Sequence, residues 1–222
     1  MFIGHFGLGM GLKKTAPALS LGTLFIAVQL LDLIWPTLLL LHVETVVIHP
    51  ELGGNRILEF KSYPYTHSLL GALCWSLLFG GVYFLLKKQA RNALILAAAV
   101  FSHWALDFIV HFKDLPILPG QAMYVGLGLW GAPWVENIIE AILFILGILL
   151  YLRSIQFKNV LGKILFAILI ALFILVQLSN LWGPAPTSVS ALAWMAQFQW
   201  LFVLLAYWVD HNTKQSGVEL MA

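Results

Sequence analysis

The chain has 222 residues, a formal charge of only +2, and a composition that is 61% hydrophobic and 10% charged. That is too apolar for a soluble globular domain, and the charge is too small to argue for nucleic acid. The lone Cys74 excludes both an internal disulfide and a cysteine-built metal cage.

Residues 1–12 have no basic region ahead of their apolar residues and are too short to span a bilayer. They read as part of the mature protein. If Lys13 to Pro17 form a tight turn, residues 2–12 fold back as a half helix that carries His5 toward the membrane interior. Six longer stretches meet the requirement of about 20 apolar residues: 19–43, 65–86, 92–112, 134–152, 162–182 and 190–209. The expected fold is all-α, a polytopic membrane protein with six transmembrane helices, the amino-terminal half helix and a re-entrant outer loop. It forms one integral domain over 1–222, with metal-site helices in 1–152 and scaffold helices in 153–222.

In the first span Asp32 is followed by Pro36, which is expected to end or bend the helix and to free backbone groups that neighbours or water must satisfy. A hydrated cavity beside Asp32 fits. Thr66-His67-Ser68 opens the second span. In the third, His103, Asp107, His111 and Asp114 recur every three or four residues and form one stripe on a helix. An imidazole and a carboxylate at i and i+4 can give two ligands to one metal ion. His111 and Asp114 fall at the boundary, where solvation is the simpler reading, as it is for His42, His49 and His211. Repeated glycines and prolines in 113–133 point to a loop that dips into the bilayer surface and roofs a cavity. Glu136 and Glu140 follow near the start of the fourth span. Between Lys163 and Asp210 no Asp, Glu, Lys, Arg or His occurs, so the last two spans read as scaffold, with Trp182, Trp194, Trp200 and Trp208 as interfacial anchors.

Lys13 and Lys14, then Lys87, Lys88 and Arg91, then Arg153, Lys158 and Lys163 fall before the first span and in every second connection after it, all on one side of the spans. The positive-inside rule puts these, and both termini, in the cytoplasm. Counting about 1.5 Å per residue from the cytoplasmic helix ends places Asp32, His103, Asp107, Glu136 and Glu140 roughly 16–24 Å up, in one layer, with His67 slightly higher. Each carboxylate at the bilayer centre costs about 2.5–3.5 kcal/mol, so the four total on the order of 10 kcal/mol if nothing offsets them. Lys and Arg are absent from the helix interiors. A bound divalent cation is the offset that the nearby imidazoles favour: zinc first, with manganese or magnesium as alternatives.

No HExxH, GxSxG or glycine-rich phosphate loop occurs. Carboxylates and imidazoles gathered around one or two divalent ions suit hydrolysis. His5, Asp32, His67, His103 and Asp107 are the candidate ligands, and Glu136 or Glu140 a further ligand or the general base. A site at that depth meets a lipid-like amphiphile, and the bilayer is the one partner implied; a protein partner stays open. Two other readings remain: a divalent cation or proton transporter, and a non-catalytic scaffold that binds a cytoplasmic partner.

The residues His5 with Gly7 and Gly9, Asp32, Thr66-His67-Ser68-Leu69-Leu70-Gly71 and His103 with Asp107 also form an ordered pattern. Over about residues 1–115 the chain resembles the LexA-binding, inner-membrane-associated, metal-dependent hydrolases. The resemblance implies a multi-pass protein of a bacterial or archaeal inner membrane, with metal-dependent hydrolase activity at those positions. Two features depart from that family's pattern. Asp32 stands alone where a paired-Asp turn is usual, and Ser62-Tyr63-Pro64 stands where His-Arg-Gly is usual, which removes the planar cation suited to a phosphate unless Lys61 or Arg56 substitutes.

Overall fold

The computed structural model describes residues 1–52 and 57–216; Arg56 lies outside the described residues. Six helical segments are long and apolar enough to cross a membrane, so the chain is an all-α polytopic membrane protein. The helices are α1 (Ile3–Leu12), α2 (Leu21–Leu40), α3 (Leu69–Lys87), α4 (Ala90–Val110), α5 (Pro133–Ser154), α6 (Val160–Trp182), α7 (Val189–Gln197) and α8 (Gln199–His211). The last two make a single span, interrupted at Phe198. Leu77, Leu85, Ile138 and Leu175 stay more than half exposed on α3, α5 and α6, which suits faces that meet lipid rather than water.

The first span is the hub. Over half of α2 is buried (56%) against 17% of α3, because α2 packs on α1, α3, α4, α7 and α8 together. The expected half helix is present as α1, pressed against α5. Glycine makes that contact possible: a Cβ on Gly7 would lie 2.7 Å from the Leu143 carbonyl oxygen, and one on Gly147 would lie 2.0 Å from the Gly7 carbonyl oxygen. Only side chains without a Cβ let the two backbones approach that closely. Phe6, Phe25, Phe173 and Phe202 then interlock around α1, with ring centroids 4.6–5.8 Å apart.

Pro36 does not end α2, which continues to Leu40. The carbonyl it leaves without an N–H partner is that of Asp32, four residues earlier. Gln199 Nε2 approaches this oxygen from α8 at 3.5 Å.

The connections hold short strands that the sequence pattern had not marked. β1 (Thr45–Ile48) pairs antiparallel with β2 (Leu58–Ser62), and β3 (Leu115–Pro116) with β4 (Tyr124–Val125), both at one end of the bundle. Loop 113–133 folds back on the end of α4, where Leu127 N–H donates to Phe108 O (2.8 Å) and Gly128 N–H to His111 O (2.7 Å). Gly126, at φ +148°, lies so close to Phe112 O that a Cβ would sit 1.8 Å away. At the opposite end, β5 (Ile155–Phe157) pairs with β6 (Thr213–Gln215).

Candidate metal centre

Four elements bring the sequence-derived candidates together near the end of the bundle that carries the β1–β2 hairpin. His5 comes from α1, Asp32 from α2, His67 from the turn that leads into α3, and His103 and Asp107 from one face of α4. His5, His103, Asp107 and His67 are 3% exposed or less, and only the side chain of Asp32 keeps some access, at 24%.

Local structure explains why His67 is held where it is. Ser68 caps α3, its Oγ accepting from Gly71 N–H at 2.9 Å. The residue just before the cap is thus fixed outside the helix, and Trp104 Nε1–H donates to its carbonyl at 2.9 Å.

The hydrogen bonds made by the far edges of two imidazoles decide how their near edges face the carboxylates. His103 Nδ1 lies 2.8 Å from the Val28 carbonyl oxygen; a carbonyl only accepts, so Nδ1 carries the hydrogen. His67 Nδ1 lies 2.7 Å from Thr66 Oγ1. The Thr66 hydroxyl donates its own hydrogen to Glu44 Oε2 at 2.7 Å, so Oγ1 accepts from His67 Nδ1–H. Glu44 Oε1 in turn accepts the backbone N–H groups of Tyr65 and Thr66, at 2.8 and 2.9 Å. Both Nε2 atoms therefore turn inward, the arrangement by which outer partners orient metal-binding histidines.

Those Nε2 atoms meet two carboxylates. His67 Nε2 is 3.2 Å from Asp32 Oδ1 and 3.8 Å from Asp107 Oδ2; His103 Nε2 is 3.6 Å from Asp32 Oδ1 and 3.1 Å from Asp107 Oδ2. A tetrahedral ion with bonds of about 2.0–2.1 Å needs ligand-to-ligand edges of roughly 3.3–3.4 Å, and these four edges lie around that value. His103 Nε2 is fully buried with the distance but not the angles of a hydrogen bond to Asp107, so a proton shared between them is poorly placed. Asp107 Oδ1 faces the other way, 3.1 Å from His5 Nε2 and 3.2 Å from the Met1 amino nitrogen. Two overlapping groups could hold a metal ion: His5, His103 and Asp107, and Asp32, His67 and His103. The rings of His5 and His103 stack at 3.9 Å and 6°. Two protonated rings at that distance would repel by about 4 kcal/mol at an effective dielectric constant of 20, so protonating both is a poor way to neutralise the carboxylates, of which Asp107 already pairs with the Met1 ammonium.

The two glutamates stand differently. Glu140 Oε1 accepts the backbone N–H groups of Phe2 and Gly4, and Oε2 accepts from Gln177 Nε2 at 2.9 Å. It caps α1 and so holds the helix that carries His5. Glu136 is buried, at 3% exposure, one turn earlier on α5. Neither belongs to the metal-capable groups.

The scaffold helices reach this centre, contrary to their reading as lipid-facing supports alone. Gln177 of α6 serves Glu140, and Gln199 of α8 accepts from Gln29 Nε2 at 2.7 Å. Gln29 Nε2 also donates to Asp32 Oδ2 at 3.1 Å, which leaves Oδ1 toward the histidines. Gln29 lies one helical turn before Asp32 on the same face, a signal present in the sequence. Glu44 gave none, since it stands in a connection 22 residues before Thr66.

A pocket of about 110 Å³ opens onto Asp32, His67 and Asp107, with Trp35, Phe60, His111 and Trp130 around it. This is the cavity expected beside Asp32, and its roof comes from both the β1–β2 hairpin and loop 113–133. His111 corrects the expectation of a solvated boundary residue, as it is 3% exposed. No family model matches the chain, no curated protein matches it, and no solved structure matches it.

Proposed function

We propose that this centre binds a divalent cation, zinc before manganese or magnesium, and that the protein hydrolyses a phosphoester or other ester of a lipid-like amphiphile. The carrying observation is the pair of buried imidazoles whose outer nitrogens are committed to Val28 and Thr66, while their inner nitrogens face Asp32 and Asp107 at tetrahedral edge lengths. Asp32, His67 and His103 would hold the ion, with Asp107 facing both inner nitrogens and His5 on its second oxygen. When bound, the ion supplies a Lewis acid that polarises the ester oxygen and lowers the pKa of water.

The chain's own residues position the substrate. The pocket reaches Asp32, His67 and Asp107 from the side of Trp35, Phe60 and Trp130, so a polar head meets the carboxylates while apolar chain lies against the rings and Leu58. The resemblance over residues 1–115 supports the same reading, and with it an inner-membrane location. The basic clusters at the other end of the bundle support a reading with the hairpin end outside and both termini in the cytoplasm.

The transporter reading is less well supported. Between the centre and the Lys13–Asp210 pair at the opposite end, α1 presents Phe6 and Met10, fully buried among Phe25, Phe173 and Phe202. An apolar plug of that kind offers an ion no partner.

The test is to purify the protein in detergent, measure bound metal, and assay phosphoester and carboxylic ester amphiphiles with and without chelator. About one ion per chain or more, chelator-sensitive turnover, and a stabilisation of about 4 kcal/mol at free metal 1,000-fold above Kd are expected. Metal-free protein with chelator-insensitive turnover, or ion flux in proteoliposomes without hydrolysis, would overturn the reading.

A further inference from the structure

We infer that His111, oriented by Asp114, is the proton-transfer residue of the proposed hydrolysis; this rests on the hydrolase reading above. His111 Nδ1 lies 3.1 Å from Asp114 Oδ1, and a carboxylate only accepts, so Nδ1 carries the hydrogen. The ring's other nitrogen diverges from Asp114, and the ring lines the pocket onto which Asp32, His67 and Asp107 open. A base oriented by a third group beside the reacting centre is the general arrangement for moving a proton in hydrolysis.

The surroundings fix that ring rather than leave it to solvent. Trp130 packs on it at 4.0 Å between centroids, Phe60 at 5.1 Å and Tyr63 at 6.2 Å. The His111 carbonyl accepts from Gly128 N–H at 2.7 Å, and its own N–H donates to Asp107 O at 2.8 Å. The ring of His67 lies 6.5 Å away, so His111 lines the same pocket as the ligand set while standing outside both metal-capable groups. Of the two glutamates considered as the base, Glu140 is occupied with the amide groups of α1, and neither Glu136 nor Glu140 lines the pocket.

The step balances without any further reactant. The oxygen of water adds to the phosphorus or acyl carbon while one of its protons passes to His111 Nε2. The bond from that centre to the ester oxygen then breaks, and the same proton passes to the departing alkoxide, so ester and water become acid and alcohol.

The test compares two esters with the same phosphoryl or acyl group, one of p-nitrophenol and one of a long-chain alcohol, in wild type, His111→Gln, His111→Gly and Asp114→Asn. An alkoxide needs the proton and p-nitrophenolate does not. His111→Gln is expected to lower turnover of the alkyl ester about 100-fold or more and of the p-nitrophenyl ester far less, with bound metal retained. Asp114→Asn should fall between, and added imidazole should restore part of the alkyl-ester turnover of His111→Gly. Equal losses on both esters, no loss, or loss of metal from His111→Gln would each overturn the inference. Wild-type protein that hydrolyses neither ester would overturn the hydrolase reading itself, and this inference with it.

Discussion

Two clusters of buried charge lie at opposite ends of the bundle, and they are solved differently. At one end Lys13 Nζ donates to Asp210 Oδ1 and to the Leu19 carbonyl, both at 2.7 Å. Cation and anion are both supplied by the chain, and the pair ties the turn after α1 to the end of α8. At the other end Asp32 and Asp107 face imidazole nitrogens whose hydrogens are committed elsewhere. The first cluster is complete as it stands, whereas in the second the Met1 amino group and His5 meet only one oxygen of Asp107, and on the proposed reading a divalent cation completes the rest. Burial and acidity alone therefore do not mark a functional site; the deciding feature is whether the donors inside the fold are sufficient.

The largest effect that would break this contrast is at Asp107, whose two oxygens serve His5 and His103. Asp107→Ala should lose most bound metal and lower turnover at least about 100-fold, read by metal analysis and by assay; metal retained at the wild-type level would place the ion elsewhere. Next comes the complete pair. Lys13→Met leaves Asp210 without its cation and should cost about 3–5 kcal/mol, whereas Lys13→Met with Asp210→Leu should return most of it. Denaturation should show this with metal content unchanged in both variants.

A smaller effect tests how α1 delivers His5. Gly7→Ala places a Cβ against the backbone of α5 and should cost about 1–3 kcal/mol by overpacking. It should also weaken metal binding, read by competition with a chelator. Glu44→Gln removes the carboxylate behind Thr66 and His67 and should lower metal affinity about 10–100-fold. The smallest effect lies outside the membrane. Hydrogen bonding to Glu59, and then to Glu51, raises the basicity of exposed His49 above its ordinary value. A raised folded value stabilises the hairpin fully below pH about 6.5 and loses that contribution as pH rises through the folded value. In Glu59→Gln the His49 titration followed by NMR should move back down.

Much of this was legible in the chain. The six spans and the convergence of Asp32, His67, His103 and Asp107 follow from apolar run length and from counting depth along each helix, whereas the half helix and His5 follow only once Lys13 to Pro17 are taken as a turn. Contacts between distant connections were not legible. Glu44 meets Thr66 only because the β1–β2 hairpin turns the chain back, and His111 is buried only because Trp130 and Phe60 close over it from two loops. A helix end counted in isolation looks solvated. At Pro36 the expected neighbour is present, since Gln199 approaches the carbonyl it frees, but α2 runs on to Leu40 rather than ending there.

The ten residues of α1 make a helix about 15 Å long, half the hydrocarbon thickness, so one of its ends must stop inside the membrane. The amide groups at that end find their acceptor in Glu140, on a helix that emerges from the ribosome more than 120 residues later. In lipid those groups have nothing else to bond. The amide groups of α1 are thus satisfied only once α5 has entered the bilayer, and His5 reaches Asp107 on the same condition.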